Sequence, residues 1–253
     1  MLNIVLPIAG RGSRFAAVGV TLPKPLIPIH GTPMIEWVTA NVRPRRSHRF
    51  IYLCLQDHLD TTNLRAELER ICPACVIVPV RQVTQGAACT ALVAREFIDS
   101  DEPLMLANSD QFVDIDINDY LSVQDAAQAD GLIMTFRADH PKWSYVGFDA
   151  EGRVERVVEK EVISHEATVG IYNFARGRDF VRAADRMIAA DLRVNGEFYV
   201  APTYNALIAE GARIAVHNVG SEGAGMYGLG IPEDLALFVD EYSHALSHAG
   251  FVP

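Results

Sequence analysis

The feature that most restricts what this chain can fold into is the alternation, over its first half, of short apolar runs with amphipathic helical patterns. Strand-like runs fall at Asn3–Ile8, Phe50–Leu55, Val76–Val80, Leu104–Ala107 and Leu132–Phe136. Helical spacing occupies the intervals Met34–Val42, Thr61–Ile71, Ala87–Phe97 and Ile117–Gln128. Strands alternating with helices imply βαβ units and a mostly parallel sheet. Ile4-Val5-Leu6 and Val76-Ile77-Val78 are apolar at consecutive positions, as strands covered by helices on both faces must be.

After about residue 140 the pattern changes. Val146–Asp149, Arg153–Val158 and Thr168–Phe174 read as antiparallel strands, with Ala150-Glu151-Gly152 supplying the turn. Helices are expected at Arg178–Ala190 and Pro202–Glu210, a strand at Arg213–His217 and a final helix at Pro232–His248. No linker-like, low-complexity or repeated segment divides the chain. We expect one α/β domain over residues 1–253: a mostly parallel sheet flanked by helices, with an antiparallel elaboration on the substrate side.

Charge and cysteine usage exclude several function classes. A net charge of −10 argues against nucleic acid or an anionic membrane surface as partner. No apolar run approaches the roughly 18–20 residues of a membrane span, and MLNIVLPIAG lacks the basic start of a signal peptide. Cys72-Pro73-Ala74-Cys75 follows a helical pattern and precedes a strand, the reverse of a redox CxxC, and no second ligand pair completes a zinc site. We read Cys54, Cys72, Cys75 and Cys89 as reduced thiols, which places the chain in the cytoplasm.

The segment leaving the first strand carries the chemistry. It reads Pro7-Ile8-Ala9-Gly10-Arg11-Gly12-Ser13-Arg14-Phe15, followed by Leu22-Pro23-Lys24-Pro25-Leu26. A glycine-rich turn after a parallel strand brings backbone N–H groups close to phosphate oxygens, at the end of the sheet where α/β proteins bind ligands. A P-loop is excluded because no GxxxxGK follows, and a dinucleotide fingerprint because Phe15 takes the third glycine position. The competing reading is a mobile loop with scattered charge. Arg11, Arg14 and Lys24 around one turn of an acidic chain suit a triphosphate better, and two prolines fix the lysine backbone.

These residues resemble the signature of the sugar-phosphate nucleotidyltransferase (nucleoside-diphosphate-sugar pyrophosphorylase) family, G-x-G-(S/T)-R-(L/F) followed by P-K-P-L. Gly31-Thr32-Pro33-Met34-Ile35 continues the likeness, which recurs at intervals to about Leu235. The resemblance implies a Rossmann-like fold, with residues 1–140 binding a nucleoside triphosphate and residues 141–253 binding a phosphorylated small molecule, most simply a sugar 1-phosphate. It implies catalytic roles for Arg14 and Lys24 as cations at the attacked phosphorus. Ala9, Gly10, Arg11, Gly12 and Ser13 would wrap the triphosphate, and Gln85-Gly86 would meet the base. Asn108-Ser109-Asp110 follows a buried strand; Ser109 joins the nucleotide set and Asp110 is expected to bind Mg²⁺ through its carboxylate. Asp114 and Asp116 alternate with apolar residues and read as a solvated face. On the acceptor side the likeness points to Tyr145 and Gly147, to Glu159 for sugar hydroxyls, to Lys160 for the sugar phosphate, to Gly170 and to Glu197.

One departure bears on the metal. Many sugar nucleotidyltransferases carry a second metal-binding aspartate where this chain has Gly228, within Met226-Tyr227-Gly228-Leu229-Gly230-Ile231. Asp234 is the candidate replacement, and a helix-capping role for Glu233 and Asp234 is the alternative. The expected reaction is in-line attack by an acceptor phosphate oxygen on the α-phosphorus with release of pyrophosphate. It needs orientation and cations but no general base. Three other readings stay open: cytidylyl transfer to a non-sugar phosphate, a nucleotide-sugar-dependent glycosyltransferase, and a non-catalytic nucleotide-sugar binder. The sequence does not exclude a homo-oligomer. Nothing after the last helix suggests a second enzyme, and small members of the family suggest supply of surface polysaccharide assembly.

Overall fold

The computed structural model describes residues 1–242. Its strands are β1 (Leu2–Ile8), β2 (Pro28–Ile29), β3 (Thr32–Pro33), β4 (His48–Leu55), β5 (Val76–Val80), β6 (Leu104–Ala107) and β7 (Gln111–Val113). The second half adds β8 (Gly131–Arg137), β9 (Ser144–Phe148), β10 (Val154–Glu159), β11 (Glu166–Phe174), β12 (Ile214–Glu222) and β13 (Gly225–Gly228). One 11-stranded sheet runs β5-β4-β1-β6-β11-β8-β12-β13-β7, with β9 and β10 branching from β11; β2 and β3 form a small separate ribbon.

The first half is the parallel array the sequence predicts. β4 pairs with β5 and β1, and β1 with β6, all parallel. Both faces are buried because each strand is apolar on both. On β4, Phe50, Tyr52 and Cys54 enter one core, and Ile51, Leu53 and Leu55 the other. The helix Met34–Asn41 supplies Met34, Ile35, Trp37 and Val38 to the first core. The helix Gly177–Ala189 supplies Phe180, Val181, Ala184 and Met187 to the second. Removing one such side chain, Phe50 for example, would cost about 3–5 kcal/mol through lost burial and the cavity left behind.

β11 lies between β6 and β8 and is antiparallel to both, while β8 and β12 are parallel. The substrate-side half is thus stitched into the same sheet. Between β1 and β6 the strand order reverses direction, which makes the crevice beyond their carboxyl ends the expected ligand position.

Several boundaries differ from expectation. The predicted helix Thr61–Ile71 is two helices, Gln56–Thr61 and Leu64–Ile71. Thr62 breaks them: its hydroxyl donates to the His58 carbonyl at 2.6 Å and accepts from the Leu64 amide at 3.3 Å, an alternative to continuing the helix. Helix Ala87–Phe97 is likewise broken, into Ala87–Ala91, a 3₁₀ turn and Arg95–Ile98. The strand expected at Arg213–His217 extends from Ile214 to Glu222. The last helix begins at Pro232, passes into a π-helical stretch over Phe238–Tyr242, and its expected end at His248 lies outside the described residues. Asp116 caps the helix Ile117–Ala127 by accepting from the Asn118 amide. Cys54 and Cys75 are free thiols pushed up to about 12 and about 11 by burial, so they stay protonated at neutral pH. Among the described residues no helix is long and apolar enough to cross a membrane.

Candidate active site

The loops after β1 and β6 meet where the strand order reverses. Gly12 holds φ +61°, a left-handed conformation that starts the short helix Ser13–Ala17. Phe15 anchors that turn in the core at 3% exposure and leaves Ser13 and Arg14 exposed. Pro23 and Pro25 flank Lys24 in a 3₁₀ turn whose Pro25 and Leu26 are buried. The lysine ammonium reaches the Asp110 carboxylate at 3.2 Å.

The loop after β6 is fixed by backbone contacts to β11. The Asn108 amide donates to the Gly170 carbonyl at 2.9 Å, and Gln111 Nε2 donates to the Asn108 carbonyl at 3.0 Å. Gly170 has φ +100°, and a methyl group there would lie 2.4 Å from Asn108 Nδ2. Glycine is therefore required for this approach.

Two cavities open here. One, of about 390 Å³, is lined by Gly10, Gly12, Ser13, Arg14, Lys24 and Ser109 among others. The other, of about 380 Å³, is lined by Lys142, Ser144, Glu159, Lys160, Tyr172, Tyr199 and Asp234 among others. Arg14, Asn108, Asp110 and Gly230 belong to both. Two compartments that meet at one cation, Arg14, and one carboxylate, Asp110, suit a reaction between two phosphorylated molecules.

The second cavity has a polar floor. Glu159 is 8% exposed; it accepts from the Ser144 hydroxyl and pairs with Lys160 at 3.4 Å. Burial pushes its carboxyl above the ordinary value, and the Ser144 hydroxyl and Lys160 pull it back. Thr168 and Tyr172 share a hydrogen bond of 2.9 Å beside it. Such a floor offers both donors and acceptors to a polyhydroxylated ligand.

Asp110 and Asp234 both line the second cavity and are the residues that would hold Mg²⁺. A methyl group on Gly228 would lie 2.8 Å from Asp234 Oδ2, and one on Gly230 would lie 3.2 Å from Asp110 Oδ2. The side chain absent at Gly228 thus leaves space that the Asp234 carboxylate fills from the first turn of the last helix. Among the described residues no group of three metal-ligating side chains exists. Two carboxylates suffice for Mg²⁺, which keeps waters and takes phosphate oxygens. Burial raises the Asp234 carboxyl first of all, opposed by Lys142 and Arg14.

The remaining predicted residues fall at differing distances from the chemistry. Ala9 is packed in the core at 7% exposure, and Arg11 is exposed and lines neither cavity. Gln85 is exposed; Gly86 stands behind the lining residue Ala87. Tyr145 is fully buried and donates to the His140 carbonyl at 2.8 Å, so it braces the loop before β9 and does not reach the cavity. Gly147 faces Ile163 and Arg156, also away from it. Glu197 is exposed and meets the Tyr199 hydroxyl. Lys142 was missed. Its ammonium lies 3.0 Å from Glu222 and 4.5 Å from the centre of the Trp143 ring. A compositional signal marked it: Lys24, Lys142 and Lys160 are the only lysines in the chain, every other basic side chain among its 22 Lys and Arg being arginine. All three line the cavities.

Fold and site together define an α/β protein built to hold a polyphosphate beside a second, polar ligand. The chain belongs to the nucleotidyl transferase family, whose pattern it matches over residues 3–187. It is 26% identical over 180 residues to the mannose-1-phosphate guanylyltransferase catalytic subunit beta of Danio rerio, covering 69% of this chain and 50% of that protein. It is also 26% identical over 192 residues to the UTP–glucose-1-phosphate uridylyltransferase of Salmonella typhimurium, covering 62% of this chain and 64% of that one. The chain thus spans about half the length of the guanylyltransferase it matches. Among solved structures, the nucleoside-diphosphate-sugar pyrophosphorylase of Vibrio cholerae RC9 superposes with a TM-score of 0.81 at 25% identity, covering 94% of this chain and 100% of that one. A UDP-glucose pyrophosphorylase complexed with UDP-glucose, 18% identical, shares the fold with a TM-score of 0.76 over 97% of this chain and 99% of its own.

Proposed function

We propose that the chain transfers a nucleotidyl group from a nucleoside triphosphate to a sugar 1-phosphate in a Mg²⁺-dependent reaction, giving a nucleoside-diphosphate sugar and pyrophosphate. The observation that carries this reading is the Lys24–Asp110 pair, 3.2 Å apart, whose lysine lines the first cavity and whose carboxylate lines both. The relatives named for guanylyl and uridylyl transfer to sugar 1-phosphates support the same class.

In this reading the cavity edged by Gly10, Gly12 and Ser13 takes the triphosphate, and Arg14 and Lys24 neutralise it. Lys160 orients the acceptor phosphate, and Glu159 with Ser144 binds acceptor hydroxyls. The new bond joins an acceptor phosphate oxygen to the α-phosphorus, and the bond from that phosphorus to the β-phosphate oxygen breaks. The attacking oxygen is already anionic near neutral pH, so no base is needed. Mg²⁺ held by Asp110 and Asp234 would supply charge neutralisation at the phosphates. We further place the activity in the cytoplasm, where it would feed surface polysaccharide assembly.

A second reading, transfer to a non-sugar phosphate, draws on the glycine at 228 and the added cation Lys142. One screen separates the two. Thermal shift with the four ribonucleoside triphosphates and dTTP, each with Mg²⁺, names the donor. Pyrophosphate release is then measured against sugar 1-phosphates and other phosphorylated metabolites. Release with a sugar 1-phosphate supports the proposal; release only with a non-sugar acceptor favours the second reading. Stabilisation by nucleotide sugars without pyrophosphate chemistry would refute both.

A further inference from the structure

Lys160 sits at φ +60°, in the left-handed region that a side-chain-bearing residue occupies only where its surroundings hold it. Its amide donates to the Trp143 carbonyl at 3.0 Å, which fixes the backbone but not the long side chain. The Glu159 carboxylate at 3.4 Å is a weak tether, since burial disfavours its charge and it also accepts from Ser144. The second contact on the ammonium comes from a different element, the Tyr199 ring, whose centre lies 5.2 Å away.

The surroundings of Tyr199 are unusually constrained. Val194 and Glu197 exchange both backbone hydrogen bonds at 3.0 Å across Asn195-Gly196, which hold φ +49° and +82° as a two-residue hairpin turn requires. Phe198 is fully buried; its amide donates to the Gln85 carbonyl at 2.8 Å and its carbonyl accepts from the Ala88 amide at 3.0 Å. This docking depends on Gly86, where a methyl group would lie 2.4 Å from the Phe198 oxygen. The next residue, Tyr199, therefore enters the cavity wall from a fixed backbone, and its hydroxyl meets Glu197.

We propose that Tyr199 is a positioning residue: its ring, clamped by the 194–200 hairpin, holds the Lys160 ammonium at the wall of the acceptor cavity. The inference rests on Lys160 as the acceptor-phosphate ligand, but its first test does not. With only three lysines in the chain, selective ¹³C labelling gives three ε-methylene signals. That of Lys160, assigned through Lys160→Arg, should lie upfield from the ring current, stay there in Tyr199→Phe and lose the shift in Tyr199→Leu. The kinetic arm expects Tyr199→Leu to raise the acceptor KM about 3–30-fold, the range a cation–π contact supports, with the triphosphate KM unchanged. Tyr199→Phe should restore it, and Tyr199→Leu should add little in a Lys160→Met background. An unshifted Lys160 signal in the wild type, or a Phe variant as impaired as the Leu variant, overturns the proposal. A shifted signal with an unchanged acceptor KM also overturns it, because the ring would then hold an ammonium the acceptor does not use. If no acceptor supports pyrophosphate release in the wild type, the functional reading fails while the spectra still decide whether the ring holds the lysine.

Discussion

Lys24→Met tests the site in two directions at once. Lys24 lies 3.2 Å from Asp110 Oδ2, with side-chain exposures of 16% and 42%. Coulomb's law at that distance and an effective dielectric of about 20 gives an upper bound of about 5 kcal/mol. Solvent at the half-open carboxylate and the cost of holding the lysine reduce the net worth of the pair to about 1 kcal/mol. Removing the ammonium therefore should not unfold the chain, because methionine keeps the stem packed against the Gly12 turn. Turnover should fall about 10²–10³-fold, the scale for losing one fixed charge at the transition state.

Metal affinity should move the opposite way. A divalent cation on Asp110 would have to displace Lys24 from the same oxygen in the unliganded chain, so deleting the lysine should free it. A competitor worth about 1 kcal/mol corresponds to about fivefold tighter binding. Titration with Mn²⁺ as an electron-spin probe, without nucleotide, reads the metal; pyrophosphate release reads turnover. Near-normal turnover would remove Lys24 from the catalytic set. Weaker metal binding in the variant would refute the competition and place the cation away from Asp110.

Three further outcomes follow from the same geometry. Asp110→Asn should abolish Mg²⁺-dependent pyrophosphate release while thermal melting stays cooperative; an unfolded variant would assign Asp110 a structural role. Gly86→Ala should cost about 2–4 kcal/mol in urea denaturation, because the residue holds φ +128° and a methyl group would overlap the Phe198 backbone; a loss below about 0.5 kcal/mol would show that the 194–200 hairpin is not held as described. Glu159 has a carboxyl raised by burial, so its contribution to stability is greatest when protonated and is lost as pH rises through the raised value. The Tm of Glu159→Gln relative to wild type should then improve as pH rises from the ordinary carboxylate range through the raised value; a decline would mean the pair with Lys160 outweighs burial.

The sequence made the parallel half legible because its signals are local. Phe50-Ile51-Tyr52-Leu53 is apolar on both faces and can only be a covered strand. The glycine loop was equally legible, since its residues are contiguous. What escaped depends on distant pairing. β7 and β13 are three and four residues long and exist because Met226 and Val113 meet across the chain. No local pattern announces them. Tyr145 shows the same limit: the family likeness pointed to it on the acceptor side, whereas the tertiary structure uses its hydroxyl to hold the His140 carbonyl. Lys142 sits in an ordinary Pro-Lys-Trp stretch, and only the scarcity of lysine elsewhere sets it apart.

That scarcity bears on how such a site chooses its ligands. Arginines pair with carboxylates across the rest of the surface, as Arg45 does with Asp116 and Arg95 with Asp185. Lysine is a compact charge on a flexible stem, less committed to one planar partner. Lys24 is held by prolines and, in the proposed reading, would face the phosphates, where every triphosphate presents the same groups. Lys142 is tethered by the adjacent Trp143 ring and by Glu222 of β12, and Lys160 by the Tyr199 ring and, weakly, by the adjacent Glu159. The Lys142–Glu222 pair is about 45% exposed and costs little to exchange for an acceptor anion. In the proposed reading, discrimination between acceptors would therefore fall to the loop before β9 and the β12–β13 turn, which that pair joins. Exchanging those two segments between family members should move acceptor preference while leaving the triphosphate preference in place.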